Sequence, residues 1–244
     1  MTPSPVHYLP IATTTVALVF AVVVFRRYRE RGGTHLLWWG IGMLTYAAGT
    51  ITESVTTLFG WHEGVFRAWY ITGALLGGAP LAQGTAYLLF SRRTANALAT
   101  ALITFIAIAT IAVLLAPVDR SLVEPFRLSG KVFAAQWVRA FSPFVNTYAA
   151  GLLVGGAIWS AIRYLRDLHQ ARRAWANIAI AVGGILPGIG GSFTRFGHVE
   201  VLYVTELIGL CLIFLGYRLS TTAGGGTIHS VAPTGDTIGA ASSG

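Results

Sequence analysis

The sequence contains little charge, a single lysine and a single cysteine. Only 11% of its 244 residues are charged, about half of the share that is usual in soluble domains. The lone cysteine, Cys211, excludes an intrachain disulfide framework and a metal site built from several cysteines. The only lysine, Lys131, lies outside the last apolar run, which argues against a retinal held as a Schiff base in a last helix.

Most of the sequence consists of long apolar runs. Hydrophobic residues make up 54% of the chain, and the mean hydropathy is +0.64. A membrane helix needs about 20 apolar residues, and runs of this length suit helices better than barrel strands. No basic start typical of a cleaved signal peptide precedes the first run, so we expect that run to stay as a helix. We predict an all-α, polytopic domain over residues 1–220, with seven transmembrane helices near 8–26, 35–59, 65–90, 95–116, 142–164, 175–194 and 199–218.

The basic residues are distributed unequally between the two sides of this predicted bundle. One side holds Arg26, Arg27, Arg29, Arg31, Arg92, Arg93, Arg163, Arg166, Arg172, Arg173 and Arg218. The other side holds Arg67, Arg120, Arg127, Lys131, Arg139 and Arg195. Because cytoplasmic loops carry the excess of basic residues, we predict an outside N-terminus, a cytoplasmic C-terminus and a multi-pass location in the inner (cytoplasmic) membrane of a bacterium. The net charge of +8 is then explained by topology and anionic lipid rather than by nucleic acid.

Two segments outside the predicted spans have their own composition. The tail, residues 221–244, is rich in Gly, Ser, Thr and Ala and has no apolar periodicity, so alone it should not fold. The loop 117–141 is too long for a plain turn. Its second half, "KVFAAQWVRAF", has helical apolar spacing. It is either an amphipathic helix at the membrane surface or an extension of the fifth spanning helix.

An internal repeat is suggested by two stretches that align without gaps. Residues 38–60 and 175–197 share Trp, Ile, Thr, Phe and Gly at matching positions, and His62 then matches His198. The alignment predicts a 3+1+3 layout with parallel repeats. The alternative is that membrane helices rich in Gly and aromatic residues match by chance.

Helix count and topology over residues 8–218 resemble the seven-helix input domains of bacterial histidine kinases, although no kinase domain follows. The 3+1+3 layout also resembles SWEET-type sugar transporters, but their proline–glutamine pair is not seen in this sequence. The first resemblance implies a sensor, and the second implies a small-solute transporter.

Two carboxylates lie inside predicted spans. Glu53 precedes Gly60 by seven residues, roughly 10 Å of helix, and Glu206 lies at a similar depth in the last run. Ionisable groups at such depth usually face the bundle interior. They predict either a polar, ligand-binding or proton-passing pocket, or a structural pair that fixes helix packing. The candidate pocket residues are Glu53, Arg67, Tyr70, Arg139, Asn146, Arg195, Tyr203 and Glu206. We expect Glu53 to accept a hydrogen bond from Arg67, Tyr70, Arg139, Arg195 or Tyr203.

Other residues that resemble functional motifs have structural explanations. His62 and His198 could ligate a haem or a metal, but histidines at helix ends are more often wet interface residues. The glycine-rich stretches, such as 183–191, lack the Lys-Ser/Thr ending of a phosphate loop. They predict close helix packing instead.

These observations favour a non-enzymatic membrane protein with no assignable catalytic or metal-ligating residue, and they identify no cofactor. The first expectation is an accessory subunit of a larger membrane assembly. The alternatives are a seven-helix sensor that signals to a cytoplasmic partner in trans, and a small-solute transporter with a midplane cavity lined by Tyr70, Gln83, Asn146 and Glu206. The expected partners are the bilayer and other membrane chains, with a homo-oligomer as an option and no nucleic acid.

Overall fold

The computed structural model describes residues 5–165, 171–194 and 196–222, and every regular element within these ranges is helical. The all-α prediction is therefore confirmed. Two isolated β-bridges, Val118 with Phe133 and Glu124 with Arg127, are the only extended pairings in the described part. The α-helices are α1 (Leu9–Arg31), α2 (Thr34–Phe59), α3 (Glu63–Trp69), α4 (Ala79–Leu89), α5 (Arg92–Leu115), α6 (Phe141–Ala149), α7 (Gly155–Leu165), α8 (Ala171–Thr194) and α9 (Val199–Thr222).

Five helical segments are long and apolar enough to cross a membrane. A hydrocarbon core of about 30 Å needs about 20 residues at about 1.5 Å each, and each segment meets that length. Several apolar spans in one chain make it a multi-pass membrane protein. The five segments are Pro5–Arg31, Arg92–Leu115, Gln136–Leu165, Ala171–Thr194 and Val199–Thr221.

The two other predicted spans differ from plain apolar helices. Helix α2 is continuous over 26 residues, but its Trp, Thr and Gly residues and its buried Glu53 make it less apolar. The region predicted as one helix over 65–90 is instead broken between α3 and α4. A π-helical turn, Tyr70–Leu75, follows α3, and Pro80 stands in the first turn of α4. Proline there cannot continue an upstream helix, because it has no backbone N–H to donate.

Glycine brings α8 and α9 into backbone contact. A Cβ added to Gly183 would lie 2.5 Å from the carbonyl oxygen of Gly209, and a Cβ on Gly209 would lie 2.6 Å from that of Gly183. A Cβ on Gly190 would lie 2.7 Å from the Cα atom of Leu202. The prediction that this glycine-rich stretch serves close packing is confirmed at Gly183 and Gly190.

The segment between α5 and α6, residues 117–140, folds as a cap on one end of the bundle. It consists of irregular chain with short 3₁₀ turns, and Phe133 and Val138 are fully buried in it. The Phe133 ring contacts Phe66 at 4.8 Å and Tyr70 at 5.0 Å between centroids. The prediction of an amphipathic surface helix from Lys131 is therefore wrong. Helical structure starts at Gln136 and runs directly into α6, so the extension alternative holds from that residue.

Candidate functional site

Glu53 lies inside the bundle on α2. Its side chain is buried, with 5% of the residue exposed. Helix α2 can approach the π-helical turn closely because two glycines face each other. A Cβ on Gly49 would lie 3.1 Å from the Cα atom of Gly73. This approach places the Trp69 indole beside Glu53, and its Nε1–H donates to Glu53 Oε1 at 3.0 Å.

Glu206 on α9 lies beside Glu53. The two carboxyl groups lie within hydrogen-bond range of each other. Such a bond requires a proton on one of the two groups, because an ionised carboxylate only accepts. Each carboxyl also keeps a buried oxygen, Oε2, for which no donor is present among the described residues. A proton shared between the two groups accounts for these oxygens.

The hydrogen bonds indicate which carboxyl carries the charge. Glu53 receives the Trp69 N–H, which stabilises an anion. No salt bridge to either carboxyl occurs in the described part of the chain. Two neighbouring anions without a counter-charge would repel each other and would both be desolvated. When the pair holds one proton, the Trp69 donor favours Glu53 as the anion and Glu206 as the carrier of the proton.

Tyrosines surround the pair. The Tyr46 hydroxyl donates to the backbone oxygen of Glu206 at 3.3 Å. Tyr203 is 3% exposed and lies within electrostatic reach of both carboxyls. The ring of His7 meets Tyr203 edge-on at 6.0 Å. Tyr46 and Tyr203 are themselves titratable. The other titratable or charged groups that contact or act on these two tyrosines are His7, Arg127, Glu200 and Cys211.

The structure brings together three of the predicted pocket residues, Glu53, Tyr203 and Glu206. The predicted donor to Glu53 is wrong for the described candidates, because the donor is Trp69. Arg67 lies two residues earlier on the same helix, about 200° around its axis, and therefore faces α5. Arg195 lies outside the described residues, as does the predicted tail after residue 222.

The remaining predicted pocket residues have other partners. Tyr70 packs in the cap against Phe133. Arg139 Nη1 donates to Gln136 Oε1 at 2.6 Å. Asn146 Nδ2 donates to Ser142 Oγ at 3.2 Å. These three residues therefore do not line a common pocket with the carboxyl pair.

Two arginines attach the cap region to helix ends. Arg67 donates to the backbone oxygens of Val113, of Leu114 at 3.1 Å and of Ala116 at 2.9 Å, where α5 ends. The last carbonyl groups of a helix have no partner within it, so this guanidinium caps α5. Arg127 Nη2 donates to the backbone oxygen of Thr194, the last residue of α8, at 2.7 Å.

Carboxylates support these arginines. Glu63 Oε1 accepts from Arg67 Nη2 at 2.8 Å, and this bond holds the pKa of the Glu63 carboxyl below its ordinary value. Glu124 pairs with Arg127 at 3.1 Å. The cap is thereby fixed over the bundle end that contains the first residues of α3.

The described histidines belong to no cluster of metal-ligating side chains. His62 Nδ1 accepts from the backbone N–H of Gly64 at 3.2 Å and so caps the start of α3. Among the described residues, no group of three His, Cys, Asp or Glu side chains is arranged to hold a metal ion.

Sequence reasoning overlooked Trp69 as a member of the site. The indole N–H is a donor without an acceptor function, and its position sixteen residues after Glu53 gave no reason to pair them. Comparison of the chain with protein-family models, with characterised proteins and with solved structures gave no match. The carboxyl pair is therefore the observation on which we base a function.

Proposed function

We propose that the protein is a non-enzymatic seven-helix membrane sensor in which the Glu53–Glu206 pair binds a proton. Loss or gain of that proton changes the contact between α2 and α9, and a cytoplasmic partner reads the change in trans. The observation that carries this proposal is the pair itself: two facing carboxyls with a single indole donor and no counter-charge among the described residues.

The energetics favour a function for the pair over a purely structural role. A charged side chain near the bilayer centre costs about 2.5–3.5 kcal/mol on insertion scales. One hydrogen bond to a charged group returns roughly 1.5–3 kcal/mol. Two apolar residues would join α2 and α9 without that cost. Two carboxyls at this contact are best explained if a change in their protonation is the signal that the protein senses.

The position of the pair suits signal transfer. Glu53 and Glu206 hold two helices together through a shared proton, so a doubly ionised pair would push them apart. Helix α9 leads directly into the C-terminal tail, which the proposal places in the cytoplasm. The resemblance to the input domains of histidine kinases supports the same direction of signalling.

The seven-span topology is part of the proposal. Helix α2, with 26 residues, is about 39 Å long at about 1.5 Å per residue, enough to cross the membrane despite its polar side chains. The sequence of α3, the π-helical turn and α4 would form the remaining span as a broken helix, which membrane proteins tolerate where neighbouring helices cover it. The unequal distribution of basic residues supports a cytoplasmic C-terminus.

The 3+1+3 repeat is supported by one local feature. Gly60 ends α2 with φ of 83°, and its counterpart in the alignment, Gly197, has φ of 98°. Both residues occupy the left-handed region that favours glycine, and each precedes the start of the next helix. The two halves would therefore turn in the same way at corresponding points.

The two other predicted functions have less support. The residues named for a transporter cavity have separate partners: Gln83 Nε2 donates to the Ala95 carbonyl at 2.9 Å, and its Oε1 accepts from Tyr148 at 2.5 Å. An accessory subunit predicts a second chain in stoichiometric amount after purification in mild detergent. Such a chain, together with unchanged behaviour across pH, would favour that function over a sensor.

Distance measurements between two nitroxide labels test the sensor. Labels at Ile41 on α2 and Thr221 on α9, in a Cys211→Ser background, report the helix contact by electron–electron resonance in liposomes. We expect the distance distribution to change between acidic and alkaline pH in the otherwise unaltered protein. Glu206→Gln should abolish the change, because the amide cannot lose a proton. The control Glu30→Gln, at an exposed carboxyl on α1, should keep it. An unaltered protein without a pH-dependent change would overturn the proposal.

A further inference from the structure

A groove opens between α1 and α9 on the surface of the bundle. It has a volume of about 570 Å³ and is lined by Thr15, Val16, Val19, Cys211, Phe214, Leu215 and Arg218. Four of these seven side chains are aliphatic or aromatic: Val16, Val19, Phe214 and Leu215. From Cys211 to Arg218 the groove extends roughly 10 Å along α9, at about 1.5 Å per residue. One leaflet of a hydrocarbon core of about 30 Å is about 15 Å deep, so the groove covers most of one leaflet.

Basic residues gather where the groove ends. Arg218 itself closes the groove. Arg27 and Arg31 from α1 and Arg218 from α9 all act electrostatically on the Tyr217 phenol, so the three guanidinium groups lie within electrostatic reach of the same side chain. The Tyr217 hydroxyl is buried and finds no donor or acceptor among the described residues. Among the described residues, Glu30 is the one acidic residue that acts on it.

We infer that the α1–α9 groove is a binding site for an anionic phospholipid, whose acyl chain lies along Val16, Val19 and Leu215 and whose phosphate lies at Arg218 with Arg27 or Arg31. The charge at the groove end selects the headgroup, because each basic residue near a membrane surface attracts anionic lipid by about 1 kcal/mol. The long arginine side chains reach from the hydrocarbon region to the headgroup layer.

The position of the groove favours a lipid over a protein helix. Val19 is 49% exposed and Leu215 52% exposed, and both belong to segments that cross the membrane. The aqueous phase does not reach side chains at this depth, whereas acyl chains of the leaflet do. The groove ends in positive charge, which attracts a phosphate headgroup, whereas a transmembrane helix of apolar residues carries no complementary charge. This site is separate from the carboxyl pair and holds whether or not the pair senses protons.

Native mass spectrometry of the detergent-purified protein, titrated with phosphatidylglycerol or with phosphatidylcholine of the same acyl chains, tests the headgroup. We expect one phosphatidylglycerol to remain bound at concentrations at which phosphatidylcholine dissociates. Arg218→Gln should weaken phosphatidylglycerol binding about fivefold, the effect of one basic residue near an anionic lipid. The control Arg93→Gln removes the same charge from the first turn of α5, which does not line the groove, and should leave binding unchanged. Equal binding of both lipids, or an equal effect of both variants, would overturn the site.

Filling the groove tests the acyl-chain position independently. Val19→Trp places a large ring in the groove, whereas the control Leu18→Trp places it on a neighbouring exposed position of α1 that does not line the groove. Both variants should elute as monodisperse, folded protein, because both positions are exposed. Only Val19→Trp should lose the bound phosphatidylglycerol. Retention of the lipid by Val19→Trp would show that it binds elsewhere and would overturn the inference.

Discussion

Trp69 is the single residue that makes a buried anion at Glu53 tenable. Its indole N–H is the one hydrogen bond that the described side chains donate to the Glu53 carboxyl, apart from the bond with Glu206. A buried acceptor that loses its donor pays the desolvation cost of that group, about 1–3 kcal/mol. The indole therefore contributes to stability and to the asymmetry of the pair.

The first prediction removes this donor alone. Trp69→Phe keeps an aromatic ring but leaves Glu53 Oε1 without a partner, so we expect the free energy of unfolding to fall by about 1–3 kcal/mol. Trp137→Phe is the matched control, because Trp137 is 63% exposed and surface substitutions usually stay within about 0.5 kcal/mol. Denaturant unfolding in detergent micelles measures both. Equal values for the two variants would contradict the assignment of Trp69 as the donor.

Arg67 has a different role from the one predicted from the sequence. It caps α5 through three backbone oxygens and pairs with Glu63. We expect Arg67→Met to destabilise the protein by roughly 2–3 kcal/mol, since the substitution leaves helix-end carbonyl groups without a donor. The control is Arg120→Gln: that arginine also faces Glu63, at 3.6 Å, but its side chain is 81% exposed. An exposed ion pair contributes about 0–1 kcal/mol. A larger loss for Arg120→Gln than for Arg67→Met would contradict the capping role.

At the scale of elements, the close contact between α8 and α9 depends on glycines, which have no Cβ atom. Gly190→Ala would place a Cβ 2.7 Å from the Leu202 Cα atom, so α8 and α9 must separate. Overpacking of this kind costs typically about 1–3 kcal/mol. Gly188→Ala is the control on the same helix, because nothing lies within 4 Å of its added Cβ, and it should be neutral or slightly stabilising. Thermal unfolding of the two purified variants distinguishes them. Equal unfolding temperatures for the two variants would contradict the close backbone contact between α8 and α9 at Gly190.

Most elements could be predicted from the sequence because length and hydropathy suffice for an apolar span. The five apolar segments correspond to predicted runs, with ends that differ by a few residues. The break between α3 and α4 could not be obtained in this way, because residues 70–79 are as apolar as their neighbours. Its causes are a π-helical turn and Pro80, and both are local backbone effects. The first part of "KVFAAQWVRAF" is not a surface helix, because its apolar side chain Phe133 is buried against the bundle. From Gln136, which precedes the buried Val138, the stretch is the extension of the spanning helix that the sequence also predicted.

The site was only partly predictable, because Glu53 and Glu206 are far apart in the sequence. The depth of Glu53 and Glu206 follows from their places in two apolar runs, but nothing in the sequence brings α2 next to α9. The predicted donors were chosen for charge and for side on the membrane, which favoured arginine. The geometry instead depends on the contact of Gly49 with Gly73, which turns Trp69 rather than Arg67 towards the pair.

At the scale of the whole molecule, the proposed sensor requires a cytoplasmic C-terminus. We expect alkaline phosphatase fused after Gly244 to be inactive and a fluorescent protein at the same place to be bright, because the excess of arginine predicts that this end lies inside. Fusions after Phe59 provide the control with the opposite result. An active phosphatase at the C-terminus would contradict the orientation, and with it a cytoplasmic partner of the tail.

The central claim is that one proton is shared between Glu53 and Glu206 inside the bundle. Infrared difference spectroscopy of the purified protein in lipid, recorded against Glu206→Gln, observes that proton directly through the C=O stretch of a protonated carboxyl. The assignment of the proton to Glu206 predicts such a band at neutral pH in the unaltered protein, its loss in Glu206→Gln, and a shifted but retained band in Glu53→Gln. A spectrum in which Glu206→Gln removes no protonated-carboxyl band at neutral pH would contradict the claim.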